Sequence, residues 1–134
     1  MKNSSIKKKI INAPISIGEL VDKITILEIK KNKLQNSKLE NVLKELSLLR
    51  KLMEKHQIEI TDNLFTQLKK INLTLWNIED QIRIKEKNKE FDNIFVELAR
   101  SVYFTNDKRS EIKKSINLLT GSGFVEEKSY EDYE

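Results

Sequence analysis

Ten side chains of this sequence have types and spacings that could do chemistry together: Glu28, Lys31, Asn72, Trp76, Glu79, Arg83, Tyr103, Asn106, Arg109 and Lys113. Glu28 stands out first. Projected on a helix at about 100° per residue, it falls between Ile24 and Val21 on the stripe made with Ile17, Leu20 and Leu27, where an unpaired carboxylate is costly. Further along, Phe65, Asn72, Trp76, Glu79 and Arg83 follow one another at helical spacing and form a single amphipathic edge. A third run, Thr105, Asn106, Arg109 and Lys113, interrupts the apolar stripe of Leu98, Val102, Ile112 and Ile116. An arginine in that position needs an anion, because a buried unpaired guanidinium costs several kcal/mol. Glu28 and Glu79 are the internal candidates, and an external carboxylate or phosphate is the alternative, since the guanidinium fork binds both in two-pronged fashion. The ten residues are therefore expected to converge on a polar cavity between helices, as a ligand site or as a closed salt-bridge network or polar subunit interface.

Other chemistries lack their residues. There is no cysteine, which removes disulfides, thiolate metal sites and a cysteine nucleophile. The only histidine is His56, at a helix end, and it gives no support to a Ser-His-Asp arrangement. No Gly-rich phosphate loop, His-Glu-x-x-His metal motif or calcium loop occurs, and Gly121 with Gly123 follows a helix rather than opening one. Neither a metal nor another cofactor is expected. An enzyme remains an alternative reading, with Arg83, Arg109 and Lys113 holding an anionic substrate and Glu28 or Glu79 doing acid–base work.

The elements that must position these residues read as helices. Ser16 and Glu19 form a capping box, with Ile15 and Leu20 in the staple positions, so a first helix should run from Ile17 to about Leu34. After a short connection, Ser37 and Glu40 suggest a second box and a helix from about Lys38 to Lys55, its Leu39, Val42, Leu43, Leu46, Leu49 and Met53 spaced as a bundle seam. A third helix starts near Thr61 or Asp62 and continues to about Lys87 on Leu64, Leu68, Ile71, Leu75, Ile78 and Ile82. A fourth starts near Phe91 or Asp92, buries Ile94, Phe95, Leu98, Val102, Ile112 and Ile116, and stops at Gly121. Residues 85–89 are the expected bend between the last two. The fold class is all-α: an antiparallel four-helix bundle of two helical hairpins with extended N- and C-terminal segments. Residues 1–134 form one domain, divided into an arm (1–14), a helical body (15–120) and an acidic tail (121–134). The Ile6–Ile11 stretch of the arm is expected to pair as an extended segment with Phe124, Val125, Ser129 and Tyr130.

With 25 basic and 21 acidic residues in 134, the excess charge is small and mixed along helix faces, which does not give the clustered patch of a specific nucleic-acid binder. Lys7, Lys8 and Lys9 read as a solvated end. No apolar run is long enough to span a bilayer, and no signal-peptide pattern follows the N-terminal lysines, so the expected location is cytoplasmic. A homodimer is expected, from the leucines of the second helix and from Ile26 and Ile29 on the side opposite the core stripe.

The stretch SIGELVDKITILEIK (16–30), together with residues 75–80, 95–103, Asn106 with Asp107, and 125–130, resembles a bacterial family of small helical proteins of unknown function. Genes of that family often lie near surface-polysaccharide glycosyltransferases, so the resemblance implies a link to surface-glycan or nucleotide-sugar metabolism and no catalytic residue. Residues 19–27 are also faintly similar to the first helix of helical chorismate mutases, but without its arginine. Helical nucleoside-triphosphate pyrophosphatases need two acidic pairs, and only Glu19 with Asp22 supplies one. The leading expectation is a non-enzymatic accessory or binding protein recognising a small anionic ligand or a partner protein. A structural or oligomerisation module with an internal salt-bridge network is the other alternative to an enzyme.

Overall fold

The computed structural model describes residues 8–129 and 131–133. Four helices follow one another: α1 (Ile17–Lys33), α2 (Asn36–Lys55), α3 (Asp62–Lys87) and α4 (Asn93–Thr120). Their starts have local causes. Ser16 Oγ accepts from the amide of Glu19 at 3.0 Å, Thr61 Oγ1 from Leu64 at 3.3 Å, and Asp92 Oδ1 from Phe95 at 2.9 Å. Gly121 ends α4 in the left-handed region at φ 67°, where a side chain would be strained. Between α3 and α4 the chain turns at the expected place. Lys89 takes φ 56°, and the Lys85 ammonium ties Glu90 (3.2 Å) and Asp92 (2.9 Å) across the bend.

The start of α2 differs from the sequence reading. The helix begins at Asn36, so Ser37 lies within its first turn, and Gln35 occupies the cap without a side-chain hydrogen bond. Asn36 itself has φ 58°, a conformation asparagine tolerates better than most residues, and this lets the chain reverse across only Leu34 and Gln35.

α1 is the central helix. It packs against each of the other three, while α3 packs along α4. One side of α1 forms a cluster with α2, through Leu20, Ile24 and Leu27 against Val42 and Leu46, with Leu49, Leu52 and Met53 at its edge. Each of these buried aliphatic side chains contributes about 1.5–3 kcal/mol. Val21 meets Leu68 of α3 and Ile116 of α4 in a second cluster. The result is an all-α fold of two helical hairpins, and among the described residues no helix is long and apolar enough to cross a membrane.

Of the residues read from the sequence as a dimer surface, Val42, Leu46, Leu49 and Met53 of α2 pack toward α1 and Ile29 is 3% exposed, whereas Leu43 is 44% exposed and Ile26 is only partly buried. One expectation about the ends is corrected. The terminal segments form no strand among the described residues, and Ile10, Ile11, Phe124 and Val125 are all exposed. Ile6, Lys7 and Tyr130 of that expectation lie outside the described residues.

Candidate functional site

Besides its apolar stripe, α1 buries a second row at four-three-four spacing: Gly18, Asp22, Thr25 and Ile29. This row faces α3 and α4, and it carries the polar chemistry. Its first turn is sealed by α4 and the segment after it. The amide of Gly18 donates to Asn117 Oδ1 at 2.7 Å, and that of Ile17 to Ser122 Oγ at 3.0 Å. With Ser16 capping Glu19, these partners satisfy donors that a helix start leaves unpaired. α1 and α4 approach closely enough there that a Cβ on Gly18 would stand 2.6 Å from the carbonyl oxygen of Lys113.

One turn later lies Asp22, the one buried acid among the described residues, with its side chain 1% exposed. Its Oδ1 accepts from Asn72 Nδ2 at 2.8 Å and from Arg109 Nε at 3.0 Å, and its Oδ2 accepts from Arg109 Nη2. The Lys113 ammonium stands 3.8 Å from Oδ2 and binds Glu19 (2.7 Å) and Glu126 (3.0 Å). Thr25 donates to the carbonyl oxygen of Asp22 at 2.7 Å and accepts from Asn72 Nδ2 at 2.8 Å. The hydrogen bonds from Arg109 to Asp22 outweigh burial and hold the guanidinium pKa above its usual value. At Lys113, burial pulls the ammonium pKa down, but the hydrogen bonds it donates to Glu19 and Glu126 outweigh burial and the pKa is raised.

Beside this network opens a cleft of about 450 Å³, lined by Ile26 and Ile29 of α1, by Asn72, Leu75, Trp76, Glu79, Asp80 and Arg83 of α3, and by Asn106 and Arg109 of α4. Six of the ten residues singled out from the sequence meet here: Asn72, Trp76, Glu79, Arg83, Asn106 and Arg109. Glu79 and Arg83 pair at 3.4 Å on the rim, and Lys33 places its ammonium 5.7 Å from the centre of the Trp76 ring. Arg109 is the floor. With Nε and Nη2 engaged by Asp22, it reaches Asn106 Oδ1 through Nη1 at 3.4 Å.

The other four lie elsewhere. Glu28 belongs to a separate cluster, held by Arg50 of α2 and, at 3.0 Å, by Lys69 of α3. The partner expected for Arg109 is therefore corrected: neither Glu28 nor Glu79 but Asp22 neutralises it. Lys31 is exposed and absent from the cleft lining. Tyr103 packs against Phe104 and Tyr133 on the outer side of α4. Lys113 is buried behind Asp22, on the network and not in the cleft.

Sequence reasoning missed Asp22 and Thr25 as the hub. The signal was present in the row Gly18, Asp22, Thr25, Ile29, small or short-polar residues ending in an isoleucine at the spacing of a packed seam. Among the described residues no group of three or more His, Asp or Glu side chains is placed to hold a metal ion.

The chain belongs to DUF6165, a family of unknown function, whose family model matches residues 11–133. Comparison with curated proteins and with solved structures gives no match.

Proposed function

We propose that the protein is a non-catalytic binding protein that holds a small polar ligand in the cleft between α1, α3 and α4. The observation that supports this best is Asn72. Its Nδ2 is shared between Asp22 and Thr25, while its Oδ1 is buried in the cleft wall without a hydrogen-bond partner. Such an orphaned acceptor costs about 1–3 kcal/mol. A ligand hydroxyl or ammonium donor would satisfy it once the cleft wall shifts to admit the donor.

The remaining lining defines the rest of the ligand. Arg109, fixed by Asp22, keeps N–H donors to spare and suits one carboxylate or phosphate oxygen pair. Glu79 and Asp80 on the rim disfavour a polyanion, and Trp76 offers a flat apolar wall. A small molecule with one acidic group, several hydroxyls and an apolar ring face, such as a sugar acid or sugar monophosphate, fits these demands. Surface-glycan and nucleotide-sugar metabolism, implied by the sequence resemblance, is rich in such ligands. The lining contains two carboxylates but no hydroxyl, thiol or imidazole, which favours binding over turnover.

A structural reading is the alternative, favoured by the degree to which Asp22, Arg109, Lys113 and Glu19 satisfy one another. Trp76 is the only tryptophan of the chain, so its fluorescence reports on the cleft directly. Titration with a panel of sugar acids and sugar phosphates should give a saturable change that Arg109→Lys abolishes. No change up to millimolar concentration across the panel would leave the structural reading, and turnover of any member would overturn the non-catalytic assignment.

A further inference from the structure

The charges that line the cleft between α1, α3 and α4 are unequally matched. Arg109 is neutralised by Asp22, and Arg83 by Glu79 at 3.4 Å. Asp80 is left over, because among the described residues its carboxylate makes no ion pair and no hydrogen bond. It stands one helical turn after Trp76, and Asn72 stands one turn before, so the three form a row at four-residue spacing along α3. Asn72 is 5% exposed, and its Oδ1 is the buried acceptor without a donor. The indole is thus flanked, about 6 Å along the helix on either side, by an orphaned carbonyl oxygen and an unpaired carboxylate. The ring face is itself electron-rich, so all three groups favour a positive charge beside Trp76.

The protein already places a cation there. Lys33 continues the α1 row of Ile26 and Ile29, the two α1 residues of the cleft wall, and its ammonium stands 5.7 Å from the ring centre. Among the described residues this ammonium has no carboxylate within ion-pair distance, so the ring and not a salt bridge holds it. Such a contact is weak at an exposed position, and Lys33 is exposed at the end of its helix. A ligand cation can therefore displace it readily.

The acid-binding end lies one turn away. Arg109 and Asn72 both donate to Asp22 Oδ1, which sets the spare guanidinium donors at the level of Asn72. A ligand that reaches both Arg109 and the Trp76 ring carries its acid and its cation about 6 Å apart along the cleft. That separation spans a sugar ring and exceeds the one within an α-amino acid.

We propose that the ligand is a zwitterion, an amino sugar bearing one phosphate or carboxylate, with its protonated amine over Trp76 in the place of the Lys33 ammonium and its acid on Arg109. The proposal rests on the reading of the cleft as a binding site and narrows the class of ligand. Lys33 is then an internal stand-in for the amine, and Asp80 with Asn72 selects an aminated sugar over its hydroxyl counterpart.

Calorimetric titration with glucosamine 6-phosphate, glucose 6-phosphate and N-acetylglucosamine 6-phosphate tests this, because the three differ only at one ring substituent. Under mildly acidic conditions that keep the amine protonated, glucosamine 6-phosphate should bind about tenfold tighter than the other two. Asp80→Asn, at an exposed position, should erase most of that preference. Lys33→Met should tighten the amino sugar by removing the competing cation. Equal affinity for the amino and hydroxyl sugars overturns the proposal and leaves the cleft as a general sugar-phosphate site. Weaker binding of glucosamine 6-phosphate by Lys33→Met also overturns it, since Lys33 would then be holding the acid. No saturable heat with any of the three at millimolar concentration overturns the cleft reading together with the proposal.

Discussion

Asp22 of α1 and Arg109 of α4, 87 residues apart in the chain, form a side-on pair in which Nε and Nη2 of the guanidinium address both carboxylate oxygens. The acid is enclosed and the arginine partly open, its side chain 28% exposed toward the cleft. The pair therefore fastens two helices and at the same time aims a cation at the cleft. Asp22→Asn keeps the shape but removes the charge. Breaking a buried pair from one side costs about 3–5 kcal/mol, reduced here by the exposure of Arg109, so a loss of about 3 kcal/mol is expected in urea unfolding.

Gly18 is required by contact, not by backbone conformation. The nearest atom to an added Cβ is the main-chain oxygen of Lys113, which cannot rotate away as a side chain could. Gly18→Ala should force α1 from α4 and lengthen the bond from its amide to Asn117, at a cost of about 2 kcal/mol despite alanine's better helix propensity. Thermal denaturation should show a clear fall in Tm, while Gly123→Ala, with open space around it, should be near neutral.

Much of the fold is legible in the sequence because caps and apolar periodicity are local. Ser16, Thr61, Asp92 and Gly121 mark helix ends through bonds to residues three or four positions away. The cleft was partly legible for the same reason: Asn72, Trp76, Glu79 and Arg83 share one edge of α3, and any helix packed there brings them together. What was not legible is pairing. Glu28 and Asp22 both sit on buried parts of α1, and only the placement of α2, α3 and α4 around it decides that Arg50 and Lys69 take the first and Arg109 the second. Nor does spacing reveal that α1 is buried on two sides, which hides its second row behind the more obvious aliphatic one.

The two acids should accordingly differ in worth. Glu28 has a side chain only 13% exposed, but its partners Arg50 and Lys69 are 52% and 37% exposed and lose little on being released to water. Glu28→Gln should cost about 1 kcal/mol or less, well below Asp22→Asn. Equal losses in parallel urea titrations would show that the Glu28 cluster is as desolvated as the Asp22 network.

Glu126 links the C-terminal segment to that network. The hydrogen bonds it accepts from Lys113 (3.0 Å) and, secondarily, from Lys128 (3.1 Å) hold its carboxyl below the usual glutamate range. A carboxyl depressed in the folded state stabilises it fully above the unfolded pKa and loses that contribution as pH falls through the folded pKa. Lys113 has the opposite sense: its raised pKa stabilises the fold below the ordinary lysine range and loses effect only as pH climbs through the folded value. Near neutral pH both contributions are present. Wild type should therefore exceed Glu126→Gln in stability from neutral pH down to the ordinary glutamate range, and the gap should close below it. The gap should be modest, because Glu126 is 42% exposed and solvent screens the pair. A gap that persists at pH values well below the carboxylate range would assign the contribution of Glu126 to packing and not to charge.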